Sequence, residues 1–234
     1  DKKFWEASIL PEGDGVEFTY TSKDGEEGFP GNLITRVIYR VADNALHIEY
    51  RATTDKSSPV NLTSHSYFNL SGGSEKNILG HTLRINAAKI VEVGEGYVPT
   101  GKLLEVDNSP LDFTSPKKIG NGNGSENRYD YSWVVNKNDA ALTEAVSLLH
   151  EESGRRMTVY TTQPAIHFYS GHLLDVSMPD TKKGTGYGKY AGLCLEAQHF
   201  PDSPNHPEFP NTIIGPGETY TEKTVYKFSN ISNN

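Results

Sequence analysis

The sequence predicts an all-β fold of the sandwich class. Apolar residues alternate with polar ones in short runs along most of the chain. Turn-forming residues separate these runs, with 22 glycines and 13 prolines among 234 residues. No stretch holds a helical period long enough to compete. There is no internal repeat and no shift in composition, so one domain over residues 1–234 is the expectation.

Residues 1–30 mix short apolar pairs with glycine and acidic turns. Leu33 to Val41 and Ala45 to Ala52 then read as two strands. Ala42-Asp43-Asn44 joins them through residues that tolerate a left-handed backbone. In the second strand Leu46, Ile48 and Tyr50 share one face, and His47, Glu49 and Arg51 the other. Val60 to Leu70 and His81 to Val93 are strand-like. A turn at Gly94–Gly101 leads to a strand at Lys102–Val106, and Gly120–Asn127 reads as a surface loop. Ala140 to Glu152 carries both helical and strand spacing. Ser153-Gly154-Arg155 follows at once, so a turn at Glu152–Arg155 between two strands is the better reading. Strands are expected again at Pro164–Gly171, Gly192–Phe200 and Thr219–Phe228.

Thirty acidic against 22 basic side chains give a net charge of −8, which argues against a nucleic-acid partner. No apolar run approaches the about 18 residues needed to span a bilayer, so no membrane partner is expected. The single cysteine, Cys194, excludes an intrachain disulfide and leaves no cysteine-based zinc set. It suits the cytoplasm, the expected location. Sequons at Asn61, Asn69, Asn123 and Asn230 keep secretion open. The chain opens at Asp1 rather than methionine, which leaves room for a removed N-terminal segment.

No glycine-rich phosphate cradle and no Gly-x-Ser-x-Gly elbow is present. His199 and His206 flank Asp202 in a proline-rich loop, but their spacing matches no standard metal site, and none is expected. An acid–base pair remains. Glu196 lies between Leu195 and Ala197 on a strand whose Cys194 and Gln198 share its face, where a partly dry surface would tune its pKa. Its candidate partner is His65. Taken alone, Glu196 reads more readily as a solvent-facing strand glutamate, and His65 equally as a histidine bridging strands. Tyr67, Phe68, His167, Phe168, Tyr169, Phe200 and Phe209 could stack on a sugar ring or could fill the core.

Several long motifs resemble those of the aldose 1-epimerase family. They are Asp24-Gly-Glu-Glu-Gly-Phe-Pro-Gly31, Asn61-Leu-Thr-Ser-His-Ser-Tyr-Phe-Asn-Leu70 and Tyr160-Thr-Thr-Gln-Pro-Ala-Ile-His-Phe-Tyr-Ser-Gly171. Cys194-Leu-Glu-Ala-Gln198, Pro201-Asp-Ser-Pro-Asn-His-Pro-Glu-Phe-Pro210 and Pro216-Gly-Glu-Thr-Tyr220 continue the pattern in order. The resemblance implies a galactose-mutarotase-like β-supersandwich that interconverts the α and β anomers of free hexoses, galactose or glucose, without a cofactor. It implies Glu196 as general base, His65 as general acid, and Asp130 and Gln163 as sugar contacts.

The first residues, Asp1-Lys-Lys-Phe-Trp5, resemble the family just after its His-Gly-Gly-x-x-Gly-Phe segment. The resemblance therefore implies that the family's N-terminal strands, with an arginine and a histidine that bind sugar, lie outside this sequence. An associated N-terminal fragment of the same protein would be the partner that supplies them. Two rivals follow. A non-catalytic carbohydrate-binding or regulatory module would keep the fold without the reaction. A hexose-6-phosphate mutarotase would want an arginine cluster, which the sequence does not offer.

Overall fold

The computed structural model describes residues 2–121, 127–137, 140–177 and 186–231. The described chain opens with four strands, β1 (Glu6–Ile9), β2 (Gly15–Ser22), β3 (Leu33–Ala42) and β4 (Ala45–Thr54). Each pairs antiparallel with the next. Then come β5 (Ser58–Pro59), β6 (Tyr67–Phe68), β7 (Thr82–Ile85), β8 (Lys89–Val93), β9 (Pro99–Glu105) and β10 (Lys117–Lys118). The remainder are β11 (Asp130–Val134), β12 (Thr143–His150), β13 (Arg155–Thr161), β14 (Ala165–Tyr169), β15 (Leu193–Gln198), β16 (Ile213–Ile214) and β17 (Tyr220–Asn230).

Among the described residues these strands form a nine-stranded sheet in the order β1-β2-β3-β4-β17-β13-β12-β7-β10. A six-stranded sheet runs β6-β15-β14-β11-β8-β9, and β5 pairs with β16. Among the described residues four short 3-10 turns are the only helical pieces, and no helix there is long and apolar enough to cross a membrane.

The two large sheets pack face to face. From the larger, Ile48, Tyr50, Leu83, Ile85, Leu148, Met157 and Val159 are buried; from the smaller come Trp133, Ile166, Phe168, Leu193 and Leu195. Burying a side chain of this size contributes about 1.5–3 kcal/mol, so this shared core is what holds the sheets together. Phe168 sits at its aromatic centre, stacked on Tyr129 at 5.1 Å and close to Trp133 and Phe113. From β17 the Tyr226 hydroxyl donates to the Leu195 carbonyl at 2.8 Å, pinning β15 from behind.

Most expected strands are present, including the turn at Asp43 and Asn44, whose φ angles are 50° and 58°. Both residues tolerate that conformation, and it matches the strand twist. The Ala140–Glu152 segment resolves to β12, and residues 151–154 make the turn into β13.

Three local expectations differ. Residues 1–30 hold β1 and β2, whose alternation is masked by flanking glycine and acidic residues; all four β1 side chains are exposed on the sheet edge. His81–Val93 is two strands in different sheets. Asn86 makes the crossing by bonding the Ala145 and Glu144 carbonyls. Of residues 60–70 only β6 joins the six-stranded sheet, which leaves His65 in an irregular segment just before it. Positions 122–126 of the expected surface loop, with the Asn123 sequon, lie outside the described residues. Of the other sequons, Asn61 and Asn69 engage their amides within the protein, with His199 and Ala191.

Candidate active site

Strand alternation builds the site. On β15, Leu193, Leu195 and Ala197 enter the core, so Cys194, Glu196 and Gln198 take the opposite face. The antiparallel register places His167 of β14 opposite Glu196, and Ser132 of β11 opposite His167. One row further on, Asp130, Tyr169, Cys194 and Tyr67 stand side by side across four strands. The two rows floor a cavity of roughly 430 Å³ that His65, Tyr67, Asp130, Ser132, His167, Tyr169 and Glu196 help to line.

His65 reaches this floor although it belongs to no strand. Its Nε2 lies 3.5 Å from Glu196 Oε1 and its Nδ1 lies 3.3 Å from Cys194 Sγ. Asn61 holds the segment before it, accepting from the His199 backbone N–H at 2.9 Å and donating to the His199 carbonyl at 3.2 Å. That strap ties the approach to His65 to the end of the strand that carries Glu196.

The electrostatics divide the carboxylates. Burial raises the pKa of Glu196 above its ordinary value, and nearby Asp130 adds to the rise, while His65 and His167 oppose it. Asp130 is instead partnered, accepting from His167 Nε2 at 2.8 Å. With that nitrogen donating, His167 Nδ1 is left to accept from the Ser132 hydroxyl at 3.0 Å. The Cys194 thiol is pushed well up by burial and by Glu196.

Of the residues expected from the sequence, Glu196, His65 and Asp130 meet at the cavity. Gln163 does not. It is fully buried at the crossing from β13 to β14, where its amide donates to Tyr220 Oη at 2.9 Å and the Leu62 carbonyl at 3.3 Å. Its carbonyl accepts from His199 Nδ1 at 2.7 Å. A chain that changes sheets must satisfy its buried polar groups internally, and Gln163 serves that need. Gln163→Leu is therefore expected to lower stability by about 1–3 kcal/mol. Urea unfolding would measure the loss.

The residue the sequence reading undervalued is His167, counted there only among possible stacking rings. Its place two positions along from Ala165 and opposite Glu196 depends on strand register, which composition does not show. Tyr67 and Tyr169 do line the cavity, with ring centroids 6.2 Å apart. Phe68 and Phe168 face the core instead, and Phe200 packs on Phe209 in a separate cluster beneath the proline-rich loop. His199 and His206 do not converge: the first bonds Gln163, and the second contacts Asp202 at 3.4 Å and Glu208 at 3.5 Å.

The sequence profile of the family described as aldose 1-epimerase matches residues 1–227. Galactose mutarotase of Bos taurus is 39% identical over 231 residues, covering 98% of this chain and 66% of its own length. Aldose 1-epimerase of Escherichia coli K12 is 38% identical, covering 97% of this chain and 67% of its own. This chain thus spans about two thirds of the length of such relatives. Among solved structures, a GalM/aldose epimerase homologue from C. elegans superposes with a TM-score of 0.88 at 30% identity, over 97% of this chain and 69% of that one. Galactose 1-epimerase of Lactobacillus acidophilus gives 0.81 at 26% identity, over 97% and 66%. With the profile running through nearly every described strand and the fold matched along the same length, the chain belongs to the aldose 1-epimerase family.

Proposed function

We propose that this chain carries the acid–base pair of an aldose 1-epimerase and interconverts the α and β anomers of free hexoses, galactose or glucose. The observation that carries this reading is the 3.5 Å approach of His65 to Glu196 at the floor of a single cavity. Roughly 430 Å³ falls within the range of small-molecule sites.

Glu196, as carboxylate, takes the proton of the C1 hydroxyl, and protonated His65 delivers a proton to the ring oxygen. The C1–O5 bond breaks and the open-chain aldehyde forms. Rotation about C1–C2 presents the other face of the carbonyl. On reclosure O5 attacks C1, the C5 hydroxyl gives its proton back to His65, and protonated Glu196 returns its proton to O1. A base and an acid on either side of one bond suffice, and no cofactor takes part. Asp130 and the His167–Ser132 pair offer an acceptor and a polar edge for sugar hydroxyls, while Tyr67 and Tyr169 offer ring faces. An associated N-terminal fragment that brings the arginine and histidine implied by the family resemblance would complete the sugar contacts.

Polarimetry on freshly dissolved α-D-galactose tests the reading: rotation should relax faster with the chain than in buffer alone. Calorimetric binding of galactose without acceleration would instead identify a carbohydrate-binding module. Because Glu196 must be ionised to act and burial raises its pKa, the acid limb of kcat/KM is expected above pH 4.5, the ordinary value for a glutamate. A limb at or below that value would show that another group is the base.

A further inference from the structure

Cys194 has no step in the reaction above, yet it is fully buried beneath the two residues that do. Its Sγ lies 3.3 Å from His65 Nδ1, and His65 Nε2 lies 3.5 Å from Glu196 Oε1. One ligand atom from each of the three side chains falls within 4.8 Å of the others. A tetrahedral zinc ion, with bonds of about 2.0–2.3 Å to nitrogen, oxygen and sulfur, sets its ligand atoms about 3.4–3.6 Å apart. The two separations to His65 are of that size, each to a different ring nitrogen.

The geometry points to a binding site for a borderline-soft divalent cation, zinc or cadmium, made by His65, Cys194 and Glu196, whose occupancy inhibits the enzyme. A thiolate, an imidazole and a carboxylate form a donor set that selects such ions over magnesium or calcium, which prefer oxygen alone. Three protein ligands leave a fourth position facing the cavity for water. Sequence spacing hid the set, because a lone cysteine in the chain suggests no zinc motif and strand register supplies the other two ligands.

Binding needs two local changes. One nitrogen of His65 must face both other ligands, so the ring turns; its side chain is 54% exposed and has room to do so. The Cys194 thiol loses its proton to solvent as the cation takes that place. Glu196 and His65 are then both held by the metal, so neither can exchange a proton with the sugar. This consequence rests on the proposed epimerisation; binding itself does not.

The test adds cadmium to the chelator-treated chain and reads the ultraviolet charge-transfer absorbance of a thiolate–cadmium bond. Wild type should show a band that saturates near one equivalent. Cys194→Ser should lose it, and His65→Asn, a change at a largely exposed side chain, should weaken the affinity at least about tenfold. In parallel, zinc should slow mutarotation by wild type, and EDTA should restore it. No band in wild type, or equal affinity in wild type and His65→Asn, overturns the site. A band without slowing of an active chain overturns the inhibition. A chain that binds cadmium but never accelerates mutarotation leaves the site standing and rejects the proposed function instead.

Discussion

Glu196→Gln is expected to slow mutarotation by about 10²–10⁴-fold, the usual contribution of a positioned general base, and at the same time to raise the melting temperature near neutral pH. The first effect follows from chemistry: an amide cannot take the proton of the C1 hydroxyl. The second follows from burial, because only 6% of Glu196 is exposed and burial is the main cause of its raised pKa. The sign is fixed by linkage. A carboxyl whose folded pKa lies above its unfolded value favours the fold while protonated. That contribution is lost as pH rises through the folded pKa. At neutral pH the wild-type chain holds a charged glutamate where the fold prefers a neutral group, and glutamine relieves that cost. The gain should vanish near pH 4, where glutamate is protonated. Thermal melts at the two pH values, beside polarimetry, check both halves. A variant as active as wild type would remove Glu196 from the mechanism. One that is inactive but less stable at neutral pH would mean that the attraction of His65 and His167 for the carboxylate outweighs the cost of burying it. His65→Asn should slow the reaction by a similar factor.

The strands that carry this chemistry were legible in the sequence where one face is apolar throughout. Ile48, Tyr50 and Ala52 on β4, and Leu193, Leu195 and Ala197 on β15, fix which side of each strand is buried. That assignment alone aims Glu196 out of the core. What alternation cannot supply is the neighbour on the next strand. His167 faces Glu196 because β14 and β15 pair in one register, and a slip by one residue would send His167 inward. Gln163 has the same parity as His167, yet it precedes β14, at the point where the chain leaves one sheet for the other. Its amide is consumed there by Tyr220, Leu62 and His199. His65 was found through its motif, not through periodicity. Its position depends on Asn61 reaching His199 across 138 residues, a contact no local pattern encodes.

Acidification from pH 6.5 to pH 4 is expected to destabilise the fold by up to about 3 kcal/mol through His81 alone, taking about 1.4 kcal/mol per unit of pKa difference. His81 is fully buried, and its pKa is lowered from 6.5 to about 4, first by burial and then by His150. The His150 ring lies 4.8 Å away, and Glu75, which accepts from His150 Nε2 at 3.1 Å, opposes the shift. The hydrogen bond at Nε2 disfavours a proton there as well. His81 Nε2 accepts from the Leu70 backbone N–H at 2.9 Å, so a proton on that nitrogen would set two donors against each other in a dry site. A histidine with a depressed folded pKa contributes stability that is present above the unfolded value and lost as pH falls towards the folded one. His199, also lowered to about 4 by burial, adds to the same acid limb. His81→Gln isolates the first contribution, because its side-chain carbonyl can still accept from Leu70 without titrating. Urea unfolding of wild type and His81→Gln at pH 7 and pH 4.5 should show a shallower loss in the variant. Equal losses in the two proteins would transfer the acid limb away from His81.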